Sequence, residues 1–186
     1  MKKTALVVLS KGFEDVEAVA PIDVLTRAGV DVTIASTVSG PVAAAYGSTL
    51  VPHMTVDKVT NLFDAIVIPG GMVNAEALAV NRTVIDLIKK HHAAGKLVAA
   101  ICASSALVLG EAAGLLKGKR ATGSPGSEDR LTACGAIVTG VHVTVDGNII
   151  TGMGPGAALP FGLQIAEYLG GRELPDDLAA RWRIAR

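Results

Sequence analysis

Two cysteines, Cys102 and Cys134, and a run of acids, Glu14-Asp15-Val16-Glu17, are the residues in this chain best equipped for covalent chemistry. Cys102 follows the apolar run Leu97 to Ile101, which has the length and flanks of a buried strand. Ser104 and Ser105 then suit a helix start, and Ala106, Leu107, Leu109, Ala112 and Ala113 continue with helical spacing. Cys102 is therefore expected in a sharp strand-to-helix turn. A thiol there faces the positive end of a helix dipole, which predicts a lowered pKa and thiolate character. Position alone leaves a plainer reading open, because free cysteines commonly serve as small buried hydrophobes.

The acids have two readings as well. Glu14 and Glu17 are three apart and share a helix face. They either compensate a helix dipole on a solvated first turn or turn a carboxyl group towards the thiol. In the second case a desolvated Glu17 beside a thiolate is expected to be protonated and to donate a hydrogen bond. Pro69-Gly70-Gly71 follows another strand-like run, Ala65 to Ile68. It is either a tight turn or a place where backbone N–H groups approach a ligand. With Ala103, the N–H groups of Gly70 or Gly71 could form an oxyanion pocket, the usual aid to thiol attack on a carbonyl.

The elements that must position these groups alternate in type. Ala5 to Leu9 and Val30 to Ala35 read as buried strands around a helix opened by Glu14-Asp15, with Pro21 expected to bend it or disrupt its first turns. The spacing predicts a small hairpin within 36–51, short helices at Asp57 to Leu62 and Asn74 to Ala79, and an amphipathic helix over Thr83 to Ala93. Later come a short strand at Arg120 to Thr122, a helix capped by Ser127, and strands at Ala136 to Val138 and Val141 to Val145. Asp146-Gly147 signals a hairpin. Helices follow from Ala157 to Leu169 and from Leu174 to Arg186. Strands alternating with helices make one α/β domain over 1–186, with the three candidate turns on the carboxyl edge of a parallel sheet.

Composition excludes several classes. Half of the 186 residues are hydrophobic, charged residues are 18% and the formal net charge is zero. That argues against disorder and against direct nucleic-acid binding, and no apolar run approaches a membrane span. The short apolar start is too brief for a secretion signal, and two cysteines fit a reduced, cytoplasmic setting. The cysteines lack metal-ligand spacing, and the four histidines do not cluster with them, so neither a metal nor a cofactor is expected. His91-His92 read as a solvated helix end, His142 as an exposed strand position, and Cys134 as a structural thiol.

Taken together, Lys11-Gly12-Phe13-Glu14-Asp15-Val16-Glu17, Ile22-Asp23-Val24-Leu25, Arg27-Ala28-Gly29, Pro69-Gly70-Gly71, Ala99-Ala100-Ile101-Cys102-Ala103 and Gly154-Pro155-Gly156 resemble the ThiJ/PfpI superfamily. Within it the match is to the branch of the Parkinson-associated protein deglycase and its bacterial relatives. The resemblance implies a flavodoxin-like α/β fold, a three-layer sandwich with a mostly parallel central sheet, assembled as a homodimer. It implies that Cys102 is the nucleophile-elbow cysteine and Glu17 its protonated partner. Gly70, Gly71, Ala103, Glu14 and Ser124 are expected to line the substrate pocket. It also implies small carbonyl substrates or glycated molecules, sensitivity of the cysteine to oxidation, and chaperone action. Ser124, Ser48 and Met153 stand where relatives often carry histidine or arginine. These departures weigh against dicarbonyl turnover more than against cysteine oxidation. Ala103 takes the place of the histidine that follows the cysteine in the protease branch.

Overall fold

The computed structural model describes residues 2–184. Strand β1 (Thr4–Leu9) is apolar on both faces, as a strand with helices packed on either side must be. It lies between two parallel neighbours, β2 (Asp31–Ser36) and β6 (Ala65–Ile68). Parallel pairing continues from β6 to β7 (Leu97–Ile101) and on to β11 (Ile149–Gly152). Edge strand β10 (Val143–Asp146) alone runs antiparallel, and β5 (Met54–Thr55) closes the other side of the seven-stranded sheet. The hairpin β3 (Val42–Ala43) and β4 (Thr49–Leu50) stands apart, as does the parallel pair β8 (Arg120–Ala121) and β9 (Ile137–Val138).

Side chains alternate along each strand and so feed two cores. Ala5, Val7 and Leu9 pack with α1 (Asp15–Arg27), α5 (Ala158–Gly170) and α6 (Glu173–Trp182). Leu6 and Val8 pack on the other face with α2 (Met72–Ala79), α3 (Arg82–Ala93), α4 (Glu128–Ala133) and a wide π-type helix, Ser105–Ala112. This is a three-layer, flavodoxin-like α/β sandwich. Strand order reverses between β1 and β6, so the turns after β1, β6 and β7 meet at one edge.

Several local expectations are corrected. Helix α1 runs unbroken through the buried Pro21. Gly162 of α5 packs on it so closely that an added Cβ would lie 3.1 Å from the Pro21 Cα, and this packing offsets the lost helical hydrogen bond. Only a single 3₁₀ turn, Val56–Lys58, forms where a helix over 57–62 was expected. Ser127 makes no side-chain cap for α4 but donates to the Ser124 carbonyl at 2.6 Å. The last helix stops at Trp182, and the end of its expected span, residues 185–186, lies outside the described residues.

His91 is the clearest reversal. Instead of a solvated helix end it is fully buried. Its Nε2 accepts the Phe63 N–H at 3.1 Å, which leaves Nδ1 to donate to the Leu87 carbonyl at 2.7 Å. Burial holds the ring below the usual histidine range. A lowered folded pKa means that the unfolded chain binds the extra proton first, so stability falls as pH drops below about 6.5. Measured from pH 7 to pH 5, the urea midpoint of His91→Gln should therefore gain on that of the wild type as pH falls.

Candidate active site

The site grows from the end of β7. The Cys102 N–H still donates to the Gly152 carbonyl of β11 at 2.9 Å, as a strand residue would. The backbone then turns sharply, with Cys102 at φ 61°, a left-handed conformation rare for a side-chain-bearing residue and typical of a nucleophile elbow. Ser104 ties the elbow down by donating to the Pro69 carbonyl at 2.6 Å.

Glu17 reaches Cys102 from the first turn of α1. Glu14 is the N-cap, and its Oε2 accepts the Glu17 N–H at 2.8 Å. This contact commits the Glu14 carboxylate to the helix start, with only its charge reaching towards the thiol pair. The Glu17 side chain is 0% exposed. Its Oε2 accepts the Gly70 N–H at 2.9 Å, its carboxyl meets the Cys102 thiol, and Oε1 is buried without a hydrogen-bond partner. Both glycines are required by space. A Cβ on Gly70 would sit 2.3 Å from Glu17 Oε2 and 2.6 Å from the Cys102 Cβ. On Gly71, at φ 87°, it would sit 2.3 Å from the Gly12 carbonyl oxygen. The N–H groups of Ala103 and Gly71 point to the sulfur, whereas that of Gly70 is spent on Glu17.

Electrostatics revise the expectation of a ready-made thiolate. Burial first, and then the charge of an ionised Glu17, push the Cys102 thiol up to about 11, against the opposing pull of the Ala103 N–H. Burial likewise raises Glu17 to about 7, with the Glu14 charge adding to it. Burial outweighs the elbow's helix end because the dipole acts through a few partial charges, whereas desolvation acts on the whole thiolate. The two groups form one coupled acid that loses its first proton near neutrality and holds the second tightly. Shifting that second proton from sulfur to Glu17 places the negative charge where the Ala103 and Gly71 N–H groups can meet it.

Two cavities flank the elbow. One, of about 120 Å³, is lined by Met72, Ala103, Ala106, Ser124, Pro125 and Arg130 among others. The second, of about 170 Å³, is lined by Pro125, His142, Met153 and the 154–157 turn. Ser124 and Ala103 thus line the same cavity. His142, read from the sequence as a strand position, lies in the loop before β10 and faces the second cavity. Its approach depends on the hairpin folding back, which no local pattern reveals. Cys134 follows α4 and packs on Gly110, where an added Cβ would lie 2.9 Å from its sulfur. Ser48 lies against α1, where its N–H donates to Asp15 at 2.9 Å. Among the described residues no group of three or more His, Cys, Asp or Glu could hold a metal ion, and no helix is long and apolar enough to cross a membrane.

Comparison with known proteins gives the same alignment of parts. Protein dj-1beta of Drosophila melanogaster is 36% identical over 187 residues, covering 100% of this chain and 99% of the fly protein. Protein DJ-1 homolog A of Arabidopsis thaliana is 39% identical over 180 residues, but the chain spans only 46% of that relative's length. The structure of oxidized Toxoplasma gondii DJ-1 superposes with a TM-score of 0.93 at 35% identity, over 99% of this chain and 100% of that one. With the DJ-1/PfpI family profile matching residues 3–168, from β1 through the elbow and into α5, the chain belongs to the DJ-1/PfpI family.

Proposed function

We propose that this chain is a cysteine-dependent stress-response protein acting on reactive carbonyls, in the manner of a glyoxalase or deglycase. The observation that carries the reading is the contact between Cys102, held at the elbow, and the buried Glu17. With methylglyoxal as the probe, Glu17 takes the thiol proton as sulfur bonds to the aldehyde carbon, and the carbonyl oxygen gains a proton to give a hemithioacetal. Ala103 and Gly71 donate to the charge that develops. Having passed the thiol proton to the carbonyl oxygen, Glu17 removes the C1 proton and returns it to C2 while the hydroxyl proton moves from the C1 oxygen to the C2 oxygen, leaving a thioester of lactate. Water cleaves the thioester and restores the thiol, so the sum is methylglyoxal plus water giving lactate, with no external oxidant or reductant. The flanking cavities, about 120 and 170 Å³, suit a molecule of a few heavy atoms. His142, facing the second, is available to orient the hydrolytic water.

A second reading, redox sensing through Cys102, is favoured by the oxidized state named for the Toxoplasma relative. Peroxide transfers oxygen to the sulfur and leaves as water, and a second equivalent gives the sulfinic acid. The expected homodimer belongs to this proposal, with exposed Val16 and Val19 on α1 as the face available for a second copy.

Lactate formation by wild type and Cys102→Ser tests the first reading. Turnover should drop at least about 10³-fold in the variant, because a hydroxyl is a far weaker nucleophile than a thiol and a poorer leaving group at the hydrolytic step. Equal product from both would exclude the mechanism. If turnover is absent while intact mass shows Cys102 gaining two oxygens under peroxide, the redox reading stands in its place.

A further inference from the structure

Asn74, in α2, is fully buried and uses its amide completely. Its Oδ1 accepts the Ser10 N–H at 2.6 Å, and its Nδ2 donates to the Pro69 carbonyl at 2.9 Å and to the Gly70 carbonyl at 3.1 Å. These partners fix the orientation of the amide, because only Nδ2 can meet two carbonyls. Neither Cys102 nor Glu17 touches this side chain through any of these bonds. We propose that Asn74 is the positioning residue that sets Cys102 reactivity, acting through the planes of two successive peptide groups.

The argument is geometric. A peptide group is planar and trans, so its C=O and N–H point in opposite, fixed directions. The Pro69 carbonyl belongs to the same plane as the Gly70 N–H, which donates to Glu17 Oε2. The Gly70 carbonyl belongs to the same plane as the Gly71 N–H, which points to the Cys102 sulfur. By holding both carbonyls, Asn74 aims one N–H at each member of the acid pair. Ser104 also holds the Pro69 carbonyl, and the Glu14 N–H holds that of Gly70 at 3.1 Å. These contacts tie the elbow and the start of α1 to the same two planes. Donation to a carbonyl also polarises its peptide group and strengthens the N–H on the far side. Glycines accept many backbone angles, so residues 70–71 do not hold this arrangement by themselves.

The proposal rests on the Cys102–Glu17 pair being the reactive centre. Its test is the rate of Cys102 alkylation by iodoacetamide against pH, in a Cys134→Ser background. Asn74→Asp keeps the shape and still accepts the Ser10 N–H, but a carboxyl group donates to at most one of the two carbonyls, and to neither when ionised. Its rate at pH 7.5 should fall about 10-fold or more, with the whole profile moved to higher pH, and Asn74→Ser should fall in between. In the unsubstituted chain, where folding is not at issue, the Asn74 side-chain amide resonances should titrate with the midpoint of the alkylation profile. A folded Asn74→Asp with the wild-type profile, or flat Asn74 resonances, overturns the proposal. If the wild-type thiol reacts no faster than a peptide thiol, the reactive-pair reading fails and this one with it. A fast wild-type thiol with unaltered Asn74→Asp kinetics removes only the role of Asn74.

Discussion

Glu17→Gln should erase the neutral-pH step in Cys102 reactivity. In the wild type the alkylation rate should climb through a midpoint near 7, where the pair gives up its first proton and gains a base beside the thiol. Glutamine cannot take the thiol proton, while burial continues to hold the thiol up. The variant's rate at pH 7.5 should therefore fall about 10²-fold or more, the lower end of what a positioned base contributes. The same substitution has a stability signature of opposite sense to that of His91. Glu17 is raised from 4.5 to about 7, so the folded chain binds its proton more tightly than the unfolded chain. The stabilisation is fully present below the unfolded value and is lost as pH rises through the folded one. A shift of that size corresponds to about 3 kcal/mol at 1.36 kcal/mol per pH unit. Glutamine carries no such dependence. Urea midpoints at pH 4.5 and pH 8 should thus show the variant gaining on the wild type as pH rises. A variant that keeps both the wild-type rate profile and the wild-type stability slope contradicts the shared-proton pair.

Gly71→Ala should do the greatest structural damage for one added methyl group. The new Cβ meets the Gly12 carbonyl at 2.3 Å and the Glu14 nitrogen at 2.7 Å, both backbone atoms that cannot swing aside. A left-handed φ adds about 1–2 kcal/mol and overpacking about 1–3, for a total of about 3 kcal/mol. Gly126→Ala is the matched control. It has a similar φ of 86° but open space around the added carbon, so it should lose only the backbone part, about 1–2 kcal/mol. Because the residue 71 N–H must move with the clash, Cys102 alkylation should slow in Gly71→Ala and not in Gly126→Ala. Denaturation midpoints and thiol kinetics on the two variants check both statements.

The chemistry of the site was legible where it is local. A buried run followed by helix-favouring residues places Cys102 at a turn, and i, i+3 spacing puts Glu14 and Glu17 together. Topology then gathers the three turns, because a parallel sheet leaves them no other edge. The rest depends on partners distant in sequence. His91 sits at the polar end of an amphipathic helix, and only the approach of Phe63 makes it a buried acceptor. Asn74 looks like an ordinary helix residue until Ser10 and the 69–70 carbonyls surround it. Pro21 keeps its place in α1 because of Gly162, far along the chain. The thiol's ionisation departs from the local pattern for the same reason. Dipole direction follows from the local pattern, but the depth of burial around Glu17 and Cys102 is set by the whole fold.

The two margins of the large sheet carry a consequence for self-association. At one margin β5 offers two residues, too few to template another chain. At the other, β10 is fastened to the small β8–β9 pair, with Thr139 bonded to Thr144 and Lys119 to Asp146. Neither rim leaves a long row of unmatched amides, so ribbon-like growth through strand addition has no starting point. A second copy of this chain therefore finds no sheet to extend at either margin of the large sheet, which leaves contact through side chains. Among such contacts, an isologous one closes about a twofold axis and stops, whereas a head-to-tail one need not.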